Sequence, residues 1–310
     1  MGGDEVLRQN RSLAVAWVSF LVVALLALDI VEGVAWGLIV PSAALVLVAI
    51  VPAMRPADED RRIDRRDLVV VGSLYAGVVI LFRIAFVAFG TDDVAGLFLA
   101  FAAGLVLGVV GPLIYSVRLR GRRLGSLGIG HHRLRETLLL GLLLAAVQFS
   151  MTLWGYDLPT PVDWVPLLVM SLVVGFFEAV FFRGFVQGRL QASFGTVAGI
   201  AVAAVLYSLY HVGYGMGADE LVFLFGLGVV YAIAYSLVSN VLVLWPLLTP
   251  LGAFFNNLEA GDIDLPWASI AGFADVAVVM GVAVLLAYRY DRKRASLAAR
   301  GYPDAAEVET

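Results

Sequence analysis

Within a long apolar stretch, residues 174–185 read VGFFEAVFFRGF, and Glu178 and Arg183 are its only charges. A carboxylate in such surroundings loses its hydration, a cost large enough that an ionisable group at this depth is a functional candidate by default. Next to a water molecule Glu178 could serve as a general base. Next to a cation it would be half of a structural ion pair. On an α-helix five positions turn through ~500°, which sets the two side chains about 140° apart. They are therefore not the i,i+4 pair that bonds along one face, and Glu178 can point into a bundle while Arg183 points to another wall. His211 closes a second apolar run, LYSLYHVGYG, with Tyr207 four residues earlier on the same helical face. A third polar cluster, LGAFFNNLEA, carries Asn256 and Asn257, two adjacent amides at the end of an apolar span. Each of those amides needs a partner there. Taken singly, the histidine reads as a helix-end structural group and the amides as caps. His131 and His132 lie in a basic loop and read as surface groups.

The elements that carry these residues are membrane spans. Apolar residues make up 61% of the chain, charged residues only 15%, and mean hydropathy is +0.92, against roughly 45–50% and 25% for a soluble domain. The expected fold is an all-α polytopic membrane bundle. Candidate spans are 13–29, 33–53, 68–90, 94–117, 137–154, 165–187, 196–213, 221–238, 240–257 and 267–288, most of them near the ~20 residues that cross a bilayer as a helix. The ninth contains Pro246 and Pro250, where proline breaks or kinks a helix, so eight to ten spans are expected. Basic clusters alternate with loops that hold only acids. Arg8 and Arg11, Arg55 to Arg66, Arg118 to Arg135, Arg183 with Arg189, and Arg289 to Arg300 all fall on one side. That pattern puts both termini in the cytoplasm. Arg83, within the third span, is expected to snorkel or to pair with an acid such as Asp275.

The expected organisation is a four-helix region over 1–117, a basic loop over 118–136, a membrane core over 137–265, a last span over 266–290 and a disordered tail over 291–310. The run Arg118–Arg123 is expected to sit against anionic headgroups. There is no cysteine, which excludes disulfides and thiol chemistry, and a net charge of −4 gives no nucleic-acid surface. Arginine outnumbers lysine 20 to 1, in keeping with a high-GC prokaryote. The expected location is thus a prokaryotic plasma membrane.

The three polar elements together resemble the CAAX-protease and bacteriocin-processing (CPBP, or Abi) family of intramembrane proteases. Glu178, Arg183 and the glycine after it resemble that family's EExxxR-G motif. Tyr207 and His211 are similar to its FxxxH, and Asn257 to the asparagine of its HxxxN. LGSLGIGHHRLRETLLLG, residues 124–141, is similar to the stretch that precedes the family core, and the likeness covers roughly residues 120–265. The resemblance implies an all-α membrane domain that cleaves peptide bonds of substrates reaching a cavity inside the membrane. In eukaryotic relatives those substrates are prenylated CAAX proteins. It further implies Glu178 as the base that activates water, His211 as its partner and Asn257 as an oxyanion donor. Arg183, Tyr207 and Asn256 would support them.

The chain departs from the motifs at two positions. Ala179 stands where the family has a second glutamate, and Ala253 (or Gly252, counting from Asn256) stands where it has a histidine. Loss of an oxyanion donor costs ~2.7–4 kcal/mol. A zinc ion would find only Glu178 and His211 as strong ligands, short of the usual three, so no cofactor is expected. Three readings follow from the sequence. One is a metal-free endopeptidase acting on a membrane-associated peptide or protein. Another is an inactive relative that binds such partners in immunity or regulation. The last is a small-solute or ion transporter, for which ten spans and a broken ninth helix are suitable. Membrane lipids are the remaining expected partner.

Overall fold

The computed structural model describes residues 35–50, 63–90, 93–152, 160, 162, 164–259, 267 and 269–300. The expected first span (13–29), most of the acidic loops and residues 301–310 of the expected tail lie outside the described residues; residues 291–299, expected as disordered tail, instead continue the last helix.

The described chain is helical, with no strand. We number the helices α1 Ala35–Ile50, α2 Arg65–Phe89, α3 Ala95–Leu119, α4 Leu134–Thr152, α5 Trp164–Phe194, α6 Thr196–Tyr214, α7 Ala218–Val238, α8 Leu248–Glu259 and α9 Ser269–Ala299. Among the described residues, α2, α3, α5, α6, α7 and α9 are long and apolar enough to cross a membrane. α1 is a shorter apolar helix, and α4 has 19 residues. The expected ninth span is broken, as its prolines suggested. A 3₁₀ turn at Val241–Val243 and a turn through Pro246 precede α8. Local chemistry fixes several helix starts. The Asp64 carboxylate accepts from the Arg66 and Asp67 N–H groups at 2.9 and 3.3 Å, and Asp93 accepts from Ala95 and Gly96. These are N-caps that satisfy otherwise orphan donors.

The chain forms two compact units. The first comprises residues 1–96 and 186–239. In it α7 packs on α6 and α1, the last turns of α5 pack on α6, and the turn His211–Tyr214 packs on α2. Gly213 lies so close to Phe82 that a Cβ would stand 2.8 Å from that side chain. The second comprises residues 97–185 and 240–310. There α8 packs along α5 and α4, and α9 packs on α5 and α3. Large apolar side chains such as Phe98, Val278, Val282 and Leu286 are more than 45% exposed. In water such surfaces would be liabilities; against lipid tails they are the expected outer face.

Candidate active site

Glu178 is the last residue of the first α-helical part of α5, and a π-helical stretch, Ala179–Gln187, begins directly after it. A π turn closes through i→i+5 hydrogen bonds. Residues five apart therefore take the neighbouring positions that residues four apart hold in an α turn. That closure brings positions 178 and 183 nearer in angle around α5 than the ~140° of uniform α geometry. Both are buried, at 6% and 1% exposure. The apolar side of the same stretch is a ladder of rings. Phe177 stacks on Phe181 with centroids 5.7 Å apart, Phe181 on Phe185 at 6.3 Å, and Tyr115 meets Phe185 edge-on at 6.0 Å. Ala179 is fully buried.

Close backbone approach holds this part of α5. A Cβ on Gly175 would lie 2.7 Å from Thr249 Oγ1 and 2.8 Å from the Pro250 ring. One on Gly184 would overlap the carbonyl oxygen of Leu127. The Trp245 indole N–H donates to Leu172 O at 2.9 Å, and the Thr249 hydroxyl donates to Gly175 O at 3.3 Å. From Thr249 the register of α8 along α5 is antiparallel. Phe254 packs on Leu167 and on the Trp164 ring. Asn256 and Asn257 follow on α8, towards the start of α5, and their side chains lie outside the described residues.

In the first unit His211 is 7% exposed. Its Nδ1 lies 2.9 Å from the Tyr207 carbonyl oxygen. A carbonyl only accepts, so Nδ1 carries the proton, and in the neutral ring Nε2 keeps the lone pair. The expected Tyr207–His211 pairing on one helical face is present. The Tyr207 ring meets the imidazole edge-on at 5.1 Å, with Tyr210 at 4.0 Å and Tyr214 at 5.6 Å. The Tyr207 ring and the backbone carbonyl that it carries thus fix both the tautomer and the ring plane. Nearby, Arg83 donates to Val212 O at 3.0 Å. His131 and His132 are exposed, as expected.

Sequence reasoning missed Asn240, which is 1% exposed. Its side-chain oxygen accepts from Leu242 N–H at 3.0 Å. Its amide donates to Gly130 O at 3.1 Å and His132 O at 3.0 Å. This ties the loop before α4 to the start of the broken segment. The available signal was an amide in an uncharged turn between two apolar runs, where every polar group needs a partner. Among the described residues no three His, Cys, Asp or Glu side chains gather as a metal site.

The fold defines an all-α polytopic membrane protein. Residues 160–248 match the family described as Type II CAAX prenyl endopeptidase Rce1-like. That segment bears out the resemblance drawn from the sequence; it contains Glu178, Arg183, Tyr207 and His211, and ends before Asn256 and Asn257. No curated protein and no solved structure gives a significant match to the chain.

Proposed function

We propose that the chain is a metal-free intramembrane endopeptidase of the CAAX type, in which Glu178 takes a proton from water as water attacks a peptide carbonyl. The supporting observation is a buried carboxylate at an α-to-π junction within the family-matched segment, since π segments occur often at functional sites. His211 is the proposed proton partner by the motif resemblance. Arg183 is the proposed supporting group by the motif resemblance. The oxyanion role falls to Asn257 by the motif resemblance. The substrate class is a membrane-associated peptide with its scissile bond near the C-terminus, prenylated as in the family's name. The alternation of basic and acidic loops supports a multi-pass membrane protein with both termini cytoplasmic, and the 20-to-1 ratio of arginine to lysine supports a prokaryotic plasma membrane.

The test is release of the C-terminal tripeptide from a farnesylated CAAX peptide, read by mass spectrometry on protein reconstituted in lipid nanodiscs. Glu178→Gln should lower the rate by about 10²–10⁴, the range for loss of a general base. His211→Ala should lower it comparably, and the double variant should be no worse than the worse single, because groups acting as a unit are not additive. Unchanged cleavage by Glu178→Gln would refute the mechanism. A second reading is favoured by Ala179 and Ala253, which replace the motif's second glutamate and its histidine. In that reading the chain binds such peptides without cutting them. Peptide binding with no tripeptide released by the wild-type protein would decide for it.

A further inference from the structure

The second unit carries a basic cleft far from Glu178 in sequence. Its volume is about 410 Å³, and Arg118, Arg120, Arg123 and Arg294 line it together with Tyr290 and Asp291. That volume lies in the range of small-ligand sites, roughly 300–1,000 Å³. The cleft is a built feature. Gly121, at φ +61°, turns the chain after α3, and a Cβ there would meet the Arg294 guanidinium at 2.8 Å. Arg294 donates to Gly121 O, and to Val117 O at 3.4 Å. The Asp291 carboxylate accepts from Leu124 N–H at 3.0 Å. Asp291 and Arg294 thus hold the walls of the cleft together, and Arg118, Arg120 and Arg123 line it with them.

Its depth in the membrane follows from the two helices that frame it. Phe101 and Phe273 meet with ring centroids 5.0 Å apart, and Val117 meets Arg294 further on, so α3 and α9 run parallel. Arg118 follows Phe101 by 17 residues and Arg289 follows Phe273 by 16. The basic residues of both helices thus begin at the same end of the pair, where Arg294 meets Val117. From Ser269 to Arg289 is ~30 Å at 1.5 Å per residue, the thickness of the hydrocarbon core. The cleft then lies at the depth of lipid phosphates. Tyr290 lines it, and Tyr is a side chain enriched at this interface.

We propose that this cleft is a binding site for the phosphate headgroup of an anionic phospholipid. Guanidinium forks match phosphate oxygens in geometry and charge. The loop after α3 and the end of α9 both contribute, so an occupied cleft would clamp that loop to the last helix.

The experiment uses the full chain in nanodiscs of equal parts phosphatidylcholine and phosphatidylglycerol, with retained lipid counted by native mass spectrometry. Phosphatidylglycerol should be retained selectively. Arg120→Gln with Arg123→Gln should reduce that selectivity about 25-fold, at about fivefold per arginine. Arg118→Gln, read separately, should reduce it about fivefold and guards against misfolding of the double variant. Arg292→Gln with Lys293→Gln, exposed on α9 and outside the cleft, should leave it unchanged. Equal losses in both pairs would mean diffuse surface attraction and overturn the site. Binding of inorganic phosphate by detergent-purified protein, without lipid selectivity in nanodiscs, would assign the cleft to a free anion and also overturn it.

Discussion

Gly184→Ala is the sharpest test of how the core of the second unit is assembled. In an exposed helix this change gains ~0.8–1.0 kcal/mol of helix propensity. Here the added Cβ would overlap the Leu127 carbonyl oxygen and stand 2.9 Å from its carbonyl carbon and 3.3 Å from its Cα. The obstacle is backbone, and a backbone atom cannot rotate aside as a side chain would. It is also tied on both flanks. Leu124 N–H bonds Asp291 at 3.0 Å, and Gly128 O accepts from Val241 N–H at 2.9 Å. Overpacking costs typically 1–3 kcal/mol, and a stapled backbone puts this site at the upper end, so the net loss is about 2 kcal/mol. At ~2–4 °C per kcal/mol for a chain of this order, the melting temperature should fall by about 4–8 °C. Thermal unfolding in detergent, followed by intrinsic tryptophan fluorescence, would read it. Gly72→Ala and Gly272→Ala are the controls, because nothing lies within 4 Å of a Cβ at either position; both should hold or gain stability. If Gly184→Ala melts at or above wild type alongside them, the steric argument is wrong. The glycine after Arg183 would then need another explanation.

Asn240→Ala removes a cap and two donations to carbonyls, which together should cost about 2–3 kcal/mol. Hydrogen exchange should show faster exchange of backbone amides around 128–132, and unchanged protection there would remove Asn240 from its assigned role. Asp67 and Arg189, both buried, form an ion pair at 3.9 Å. Breaking one half of a buried pair costs roughly 3–5 kcal/mol because the other charge is stranded. Asp67→Ala should therefore destabilise more than Asp67→Ala combined with Arg189→Leu, whereas additive losses in the two would show that the charges do not interact.

Much of this was legible from sequence because lipid imposes a blunt rule on it. A span must be apolar and helical throughout, so 68–90, 196–213 and 221–238 fall within a few residues of α2, α6 and α7. Prolines are equally plain, and the interruption before α8 sits where Pro246 stands. The local part of the candidate site was readable for the same reason. Tyr207 to His211 is an i,i+4 relation on one helix, and the bond from Nδ1 to Tyr207 O realises it. Contacts between distant segments were not readable. Asn240 bonds carbonyls 110 and 108 residues away, and nothing local distinguishes it from an ordinary cap. The same holds for Gly184, whose constraint is a carbonyl on a loop that precedes α4.

The most consequential difference between expectation and structure concerns helix type. Angular arithmetic for Glu178 and Arg183 assumed 3.6 residues per turn and sent the two charges to different walls. The stretch Ala179–Gln187 is instead π-helical, and its i→i+5 closure brings residues five apart nearer in angle. The positions of two charges that each carry a heavy desolvation cost in a membrane are thereby closer around the helix than α geometry would put them. Along the same stretch Phe177, Phe181 and Phe185 form a stacked ladder, fully or nearly buried. The spacing of four between those rings suits either helix type, so the aromatic pattern alone could not have revealed the π turn. The charge spacing could have. A pair five apart within an otherwise uncharged span is awkward on an α-helix and well placed on a π-helix. In a bilayer, where an ill-placed charge is expensive, that awkwardness is itself evidence about the backbone.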